Sequence, residues 1–343
     1  TVTRDERIAA VQKLLDAARE VVSARAFIAP AIVESTGLSR EGVELALTEH
    51  VEVDATPGDV AALVDRAGDH PEVRVILSAN VFVGALRALA LARAAAPRVW
   101  VRPSRRDPTF ARALVSAAKD DAITLVDELD PASVSEGVIH VYGRDDTIAD
   151  VRAKARVPVV GHASGMGVAW VPPDADIAAA ARALARDVVP FDQRGCLSPR
   201  MALVCGEERA SELAQRLHDE LEALSASVPR GPLPSEERAA SGRYVATMTY
   251  ACSVLVGSQH AVGLGPLGAP LVLPPVYRHV HVAPCRDAEH ARELTRPFER
   301  AVISVGAHSR EAAGQIAPAW ARRAELGRMQ RPQLDGPVDL RVG

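Results

Sequence analysis

The chain has 343 residues, 48% hydrophobic and 24% charged, which sets a globular protein of two ordinary domains against a disordered one. A net charge of −4 and only 3% aromatics point away from nucleic acid as a partner, because neither a basic footprint nor a base-stacking surface is present. The start of the chain is charged, with no apolar signal region, and no long uncharged apolar run is able to insert in a bilayer, so a cytoplasmic protein is expected. The cysteines, Cys196, Cys205, Cys252 and Cys285, form no C-x-x-C pair and no disulfide framework, which argues against zinc and for a reducing compartment.

In chain order, residues 5–25 read as an amphipathic helix with Ile8, Val11, Leu14, Leu15 and Ala18 on one face. A second helix starts near Ser39, a good N-cap with Glu41 in the first turn. From Val73 the pattern alternates. Val73 to Leu77 reads as a strand, Phe82 to Ala96 as a helix, and Arg98 to Val101 as the next strand. Asp107-Pro108 opens a helix as N-cap and first residue, and Ile123 to Val126 forms a short strand. Val138 to Tyr142, a helix from Asp145, and Val157 to Val160 complete the series. Strands alternating with helices mean a mostly parallel sheet, in which ligands bind beyond the carboxyl ends of the strands.

Those ends are chemically distinctive: Ser78-Ala79-Asn80, then Arg102-Pro103-Ser104-Arg105-Arg106, then Gly143-Arg144-Asp145-Asp146, then Gly161-His162-Ala163-Ser164-Gly165. No G-x-G-x-x-G is present. A dinucleotide would instead set its phosphates at the helix start near Gly143 and Arg144, with Arg102 and Ser104 at the ribose and Arg105 and Arg106 at a 2′-phosphate. A solvated arginine face is the equal alternative on spacing alone.

The second half predicts a strand at Val168 to Val171, a helix from Asp176 to Asp187, and a strand from Met201 to Cys205. Between them stands Phe191-Asp192-Gln193-Arg194-Gly195-Cys196-Leu197-Ser198-Pro199-Arg200. A cysteine after a glycine, in a turn with backbone N–H groups nearby, has the setting of an activated nucleophile; a buried, inert thiol is the other reading. Helices follow over 211–224 and 236–251, and 225–235 reads as a loop. The Gly- and Pro-rich stretch 257–275 also reads as a loop, lacking the Lys-Ser/Thr of a phosphate-binding one. Tyr277 to Val282 is a strand with His279 and His281 on one face, without the further ligands a metal needs. Ala301 to Val305 is another strand, and residues 326–343 read as a tail across the surface.

Taken together these motifs resemble the aldehyde dehydrogenase superfamily, and within it the long-chain acyl-CoA reductase (LuxC-type) branch. Ser78-Ala79-Asn80-Val81-Phe82 is similar to the family's oxyanion asparagine segment, and Val101-Arg102-Pro103-Ser104 to its Lys-Pro-Ser ribose segment with Arg for Lys. Asp192 to Pro199 and Gly161 to Gly165 resemble reductase-branch signatures, as do Gly263 to Gly268 with Leu273-Pro274-Pro275-Val276-Tyr277-Arg278. The likeness runs in the same order over roughly residues 30 to 343.

The resemblance implies two α/β domains with a cleft between them. A Rossmann-like cofactor domain would occupy 1–165 and a catalytic domain 166–325, with the tail at 326–343. It implies Cys196 as acyl-accepting nucleophile and Asn80 as oxyanion donor. NADPH is the implied cofactor, held by Arg102, Ser104, Arg105, Gly143, Arg144, Gly161 and His162. The implied substrate is an acyl-CoA or acyl-carrier thioester, and the implied assembly is a homo-oligomer. Where hydrolytic relatives carry a glutamate base, this chain has Gly161 to Gly165 and no carboxylate. An acyl-enzyme without a base to activate water exchanges with thiols and is reduced rather than hydrolysed. His162 is open to proton transfer or to a structural role. Two further readings stay open: an NADP-dependent aldehyde dehydrogenase making an acid, and a non-catalytic acyl-binding subunit.

Overall fold

Parallel strands buried on both faces read as short Val- and Ile-rich runs, and such runs build the first sheet. The computed structural model describes residues 2–341. The strands are β1 (Val73–Ile76), β2 (Val99–Arg102), β3 (Ile123–Leu125), β4 (Val138–Tyr142) and β5 (Val159–His162). They pair in the order β3-β2-β1-β4-β5, all parallel, with Val73 opposite both Val99 and Val138.

The helices preceding and linking these strands are α1 (Arg4–Ser23), α2 (Ala29–Thr36), α3 (Arg40–Glu49), α4 (Pro57–Arg66), α5 (Ala85–Ala95), α6 (Thr109–Ala118) and α7 (Asp145–Lys154). The apolar stripe of α1 (Val11, Leu14, Leu15 and Ala18) is fully buried where α1 packs on α5 and α6. On the other side of the sheet, Ile76, Ile139 and Val141 pack with Ile148 and Val151 of α7. Ser39 caps α3 by accepting from the Gly42 N–H. Two helices of this unit escaped the sequence reading. One is α2, which begins with Ala29-Pro30 and ends at Gly37. The other is α4, which has a reciprocal cap between Thr56 and Asp59.

One capping expectation is corrected. The residue flanking α6 is Pro108, with no side-chain cap, and Asp107 is buried instead, accepting from the Ser35 hydroxyl at 2.9 Å. A half-buried hydroxyl partner outcompeted the helix start for that carboxylate.

The second sheet contains β6 (Met166–Val171), β7 (Pro199–Cys205), β8 (Ser253–Val256), β9 (Ala261–Leu264), β10 (His279–Cys285), β11 (Val302–Ala307) and β12 (Arg322–Glu325). Its order is β12-β11-β6-β7-β10-β9-β8, parallel except for the antiparallel β8–β9 pair at one edge. The helices around it are α8 (Ile177–Val188), α9 (Glu207–Ser227), α10 (Ser235–Ala251), α11 (Ala288–Thr295) and α12 (Arg310–Ala313). β9 corrects the loop reading of 257–275. It is a strand despite Gly263, because β10 supplies a parallel partner that local propensity does not see.

Contacts divide the chain into two units. The first holds the described residues up to Ser164 and those from Gln333 on, and the second spans Gly165–Pro332. The final stretch is therefore not a tail of its own. Its first part belongs to the second unit. Its last part is held in the first by buried Arg87, which donates to the Gly336 and Gln333 carbonyls and pairs with Glu52.

Candidate active site

In the first unit the predicted residues cluster along one edge, because the carboxyl ends of parallel strands share a side. Asn80 lies exposed, four residues beyond the last residue of β1. Arg102 ends β2 and is half-buried. Its Nε is buried without a hydrogen-bond partner, and burial, reinforced by Arg105, lowers the guanidinium from its usual range. Ser104 is buried, its hydroxyl oxygen accepting from the Arg106 N–H at 3.3 Å. Arg105 is exposed and paired with Glu128 at 2.7 Å, a partner the sequence reading did not foresee.

The Gly143 N–H donates to the His162 carbonyl at 3.3 Å, and Arg144 pairs with Asp146 at 3.2 Å. The start of α7 carries Asp145 and Asp146, and Asp146 already accepts from the Thr147 N–H at 2.7 Å. A phosphate there would have to displace that carboxylate. Gly161 has a packing explanation: a Cβ added to it would lie 2.5 Å from Cγ2 of Ile148 on α7.

His162 stacks on Tyr142, ring centroids 4.0 Å apart, and its Nε2 is 3.1 Å from Nδ1 of His140. Burial and the neighbouring His140 push His162 down to about 3, and burial pushes His140 down to about 4. Both shifts favour the neutral ring at neutral pH. The sequence signal for this cluster was the alternation in Val138-Ile139-His140-Val141-Tyr142, which sets His140 and Tyr142 on one face of β4.

The second unit holds the cysteine turn. After α8 the backbone passes through Phe191, Asp192 and Gln193 with φ of 55, 50 and 62°, a left-handed run of side-chain-bearing residues. Such a conformation persists only where its surroundings over-determine it. Here they do. Tyr277 and Arg278 are also left-handed, at φ 70° each, and the Tyr277 N–H donates to the Asp192 carbonyl at 3.1 Å. Asp192 is buried, accepting from Arg278 Nη2 at 2.9 Å and from the Gly231 N–H at 3.0 Å. Arg278 is itself 1% exposed and donates to the Val228 carbonyl. Gln193 donates to the Pro199 and His279 carbonyls at 2.8 and 2.7 Å and accepts from the His279 N–H at 2.9 Å.

Cys196 follows this clamp, half-buried and outside any disulfide, in a turn closed by the Ser198 N–H donating to the Gly195 carbonyl at 3.1 Å. Cys205 and Cys285 sit opposite each other on β7 and β10, both buried, their thiols pushed up by burial. Thiols held protonated are poor nucleophiles.

His279 is engaged at both nitrogens, with Ser241 Oγ at 2.7 Å and the Val276 carbonyl at 3.0 Å. Among the described residues no group of three or more His, Cys, Asp or Glu is arranged for a metal, and no helix is long and apolar enough to cross a membrane.

His260, His279 and His281 are buried neutral, each lowered to about 4 chiefly by burial, whereas burial raises Asp187 to about 7. Between pH 6.5 and 4 the unfolded chain binds more protons at the histidines, so they lose stability as pH falls; the folded state binds more at Asp187, which opposes one of them. The net slope for the second unit is roughly 2 kcal/mol per pH unit at its steepest. Thermal melts from pH 7 to 4.5 are expected to fall steeply below pH 6.5, and a flat Tm would contradict this assignment.

The family model for acyl-CoA reductase (LuxC) matches residues 70–339. Among solved structures, the chain is similar to an NAD-dependent benzaldehyde dehydrogenase from Corynebacterium glutamicum, at 15% identity and TM-score 0.69, covering 96% of this chain and 84% of that one. It is similar to a Mycobacterium tuberculosis aldehyde dehydrogenase complexed with NAD+, at 15% identity and TM-score 0.70, covering 92% and 76%. It also matches proline utilization A from Bradyrhizobium japonicum, at 16% identity and TM-score 0.69, covering 97% of this chain and 42% of that one. A search of curated protein sequences returned no match. Such low identities establish the aldehyde-dehydrogenase-like fold, while the family match covers most of the sequence. The chain therefore belongs to the acyl-CoA reductase (LuxC) family, whose activity is the reduction of acyl-CoA to an aldehyde.

Proposed function

We propose that Cys196 is the nucleophile of this reductase, accepting the acyl group of a CoA or acyl-carrier thioester as an enzyme-bound thioester. The observation that carries the reading is the clamped turn: buried Asp192 and Gln193 hold a strained backbone immediately before a half-buried thiol. The Cys196 sulfur attacks the thioester carbonyl, and the CoA thiolate leaves with the pair of electrons of the broken C–S bond. Asn80 is the side-chain donor to the oxyanion, an interaction that grows as charge develops on the oxygen.

The segment Val159 to Gly165 offers no carboxylate, and His162 is a neutral ring engaged with His140 and Tyr142. No base there activates water, which favours reduction of the acyl-enzyme over hydrolysis.

The first unit suits a nicotinamide nucleotide. Arg102 keeps a buried Nε without a partner, two residues before the buried Ser104. We read the nucleotide as NADPH, with Arg102 and Ser104 at the ribose and Arg105 and Arg106 at the 2′-phosphate. Guanidinium groups match that anion, and Arg105 would leave Glu128 to take it. Gly143, Arg144, Gly161 and His162 complete the proposed cofactor side. When bound, the nucleotide supplies the hydride.

The test is incubation with a panel of acyl-CoA thioesters without nucleotide, followed by peptide mass spectrometry. An acyl adduct on the Cys196 peptide with release of CoA is expected. An adduct confined to Cys205, Cys252 or Cys285, or none at all, would overturn the assignment.

A further inference from the structure

Gly327-Arg328-Met329-Gln330 reads in the sequence as part of a surface tail. In the structure Met329 is 1% exposed and Gln330 is 9% exposed. The segment leaves β12 through Gly327, at φ 85°, and is seated on the second sheet at two glycines. A Cβ on Gly167 of β6 would lie 2.7 Å from Met329 Cε, and one on Gly306 of β11 would lie 2.5 Å from Met329 Sδ. The Met329 side chain thus occupies the space that side chains on β6 and β11 would fill.

The segment is tied down from below by Asp187 in the last turn of α8. That carboxylate accepts from the Gly327 N–H at 2.6 Å and the Met329 N–H at 2.9 Å. Asp187 is 1% exposed, and it sits at the helix end whose dipole disfavours negative charge. Burying a carboxylate there is costly, so the site is better explained by the geometry it enforces than by stability.

That geometry leads to the cysteine turn. The Gln330 amide donates to the Asp187 carbonyl at 3.1 Å and to the Ser198 hydroxyl. Ser198, fully buried and two residues after Cys196, is also held through its own N–H by the Gly195 carbonyl, and its carbonyl accepts from the Gly167 N–H at 2.9 Å. A Cβ on Gly167 would meet the Leu197 carbonyl at 2.4 Å, so the turn and β6 are in close contact through that glycine.

We propose that residues 327–330 form a positioning strap for the nucleophile, in which Gln330, held by Asp187, fixes Ser198 and so sets the Cys196 turn from its C-terminal side. Asp192 and Gln193 fix the same turn from its N-terminal side. Gln330, Asp187 and Ser198 are positioning residues, acting through the turn. The proposal rests on Cys196 being the acylated residue, and its test separates the two.

Wild type, Ser198→Ala, Gln330→Ala and the double variant are compared in single-turnover CoA release without nucleotide. They are also compared in alkylation by iodoacetamide, followed at the Cys196 peptide by mass spectrometry. Each single variant is expected to slow acylation roughly 10- to 100-fold, the scale of a small misplacement of a reacting group. KM for acyl-CoA should stay within about twofold, and the double variant should be no slower than the slower single one. The alkylation rate at Cys196 should change by about threefold or more in the same variants. Ser198→Ala removes only a hydroxyl and carries the test if Gln330→Ala does not fold. Unchanged alkylation and acylation in Ser198→Ala, or losses that multiply in the double variant, would overturn the strap. Acylation of the wild type at another residue would overturn the nucleophile assignment instead, while the alkylation rates still decide the strap.

Discussion

Cys196→Ala is expected to lower acyl-CoA-dependent nucleotide oxidation by roughly 10⁴-fold or more, the scale seen when a covalent nucleophile is removed. The physical reason is that no second thiol stands ready to replace it. Cys205 and Cys285 are buried and held protonated on adjacent strands. Cys252 follows directly on the end of α10, away from the clamped turn in the chain. Asn80→Ala is expected to retain acylation but to slow it by roughly 10²- to 10³-fold, the usual effect of deleting one oxyanion donor. Steady-state assays with NADPH and acyl-CoA, alongside CoA release without nucleotide, separate the two variants. Retention of more than a few per cent of activity in Cys196→Ala would end the covalent reading.

The second large effect is structural. Arg278→Ala strands the Asp192 carboxylate, which is 2% exposed and receives its charged hydrogen bond from Arg278. Breaking a buried ion pair from one side costs about 3–5 kcal/mol, because the remaining charge has lost its partner without regaining water. In a unit of this size that corresponds to a fall in Tm of roughly 6–20 °C. The Arg278→Met, Asp192→Ala double variant removes both charges and is expected to lose less than Arg278→Ala. A shift below about 2 °C for Arg278→Ala would show that the pair does not hold the turn. The variant should also impair acylation, since the left-handed backbone at Asp192 and the left-handed backbone at Arg278 support each other through the Tyr277 N–H.

Much of the parallel architecture was legible in the linear pattern. Val73 to Leu77, Val138 to Tyr142 and Met201 to Cys205 are short apolar runs between helical stretches, and each lies where a strand is found. Less legible were the features set by partners distant in sequence. Asp107 looks like a helix cap but binds Ser35. Residues 261–264 sit in a Gly- and Pro-rich stretch but pair with β10. Gly161 reads as a cofactor glycine, and only the structure adds that Ile148 of α7 leaves no room there for a Cβ. The chemistry was legible as candidate residue types, Cys196 after a glycine and arginines around Ser104, and the missing carboxylate near His162 was legible only against the resembled family. Arg105 pairing with Glu128, and His162 stacking on Tyr142, were not.

From local pattern came most of the alternation of strands and helices and the cysteine turn, because periodicity and side-chain type are carried by adjacent residues, while the class of chemistry came from the resemblance of the ordered motifs to a known family. Tertiary structure alone decided what holds that turn. Asp192 meets Arg278 from 86 residues away, and Gln330 reaches Ser198 across 132 residues. A strained backbone segment is stabilised by contacts that close only when the sheet has formed, and no local propensity encodes them.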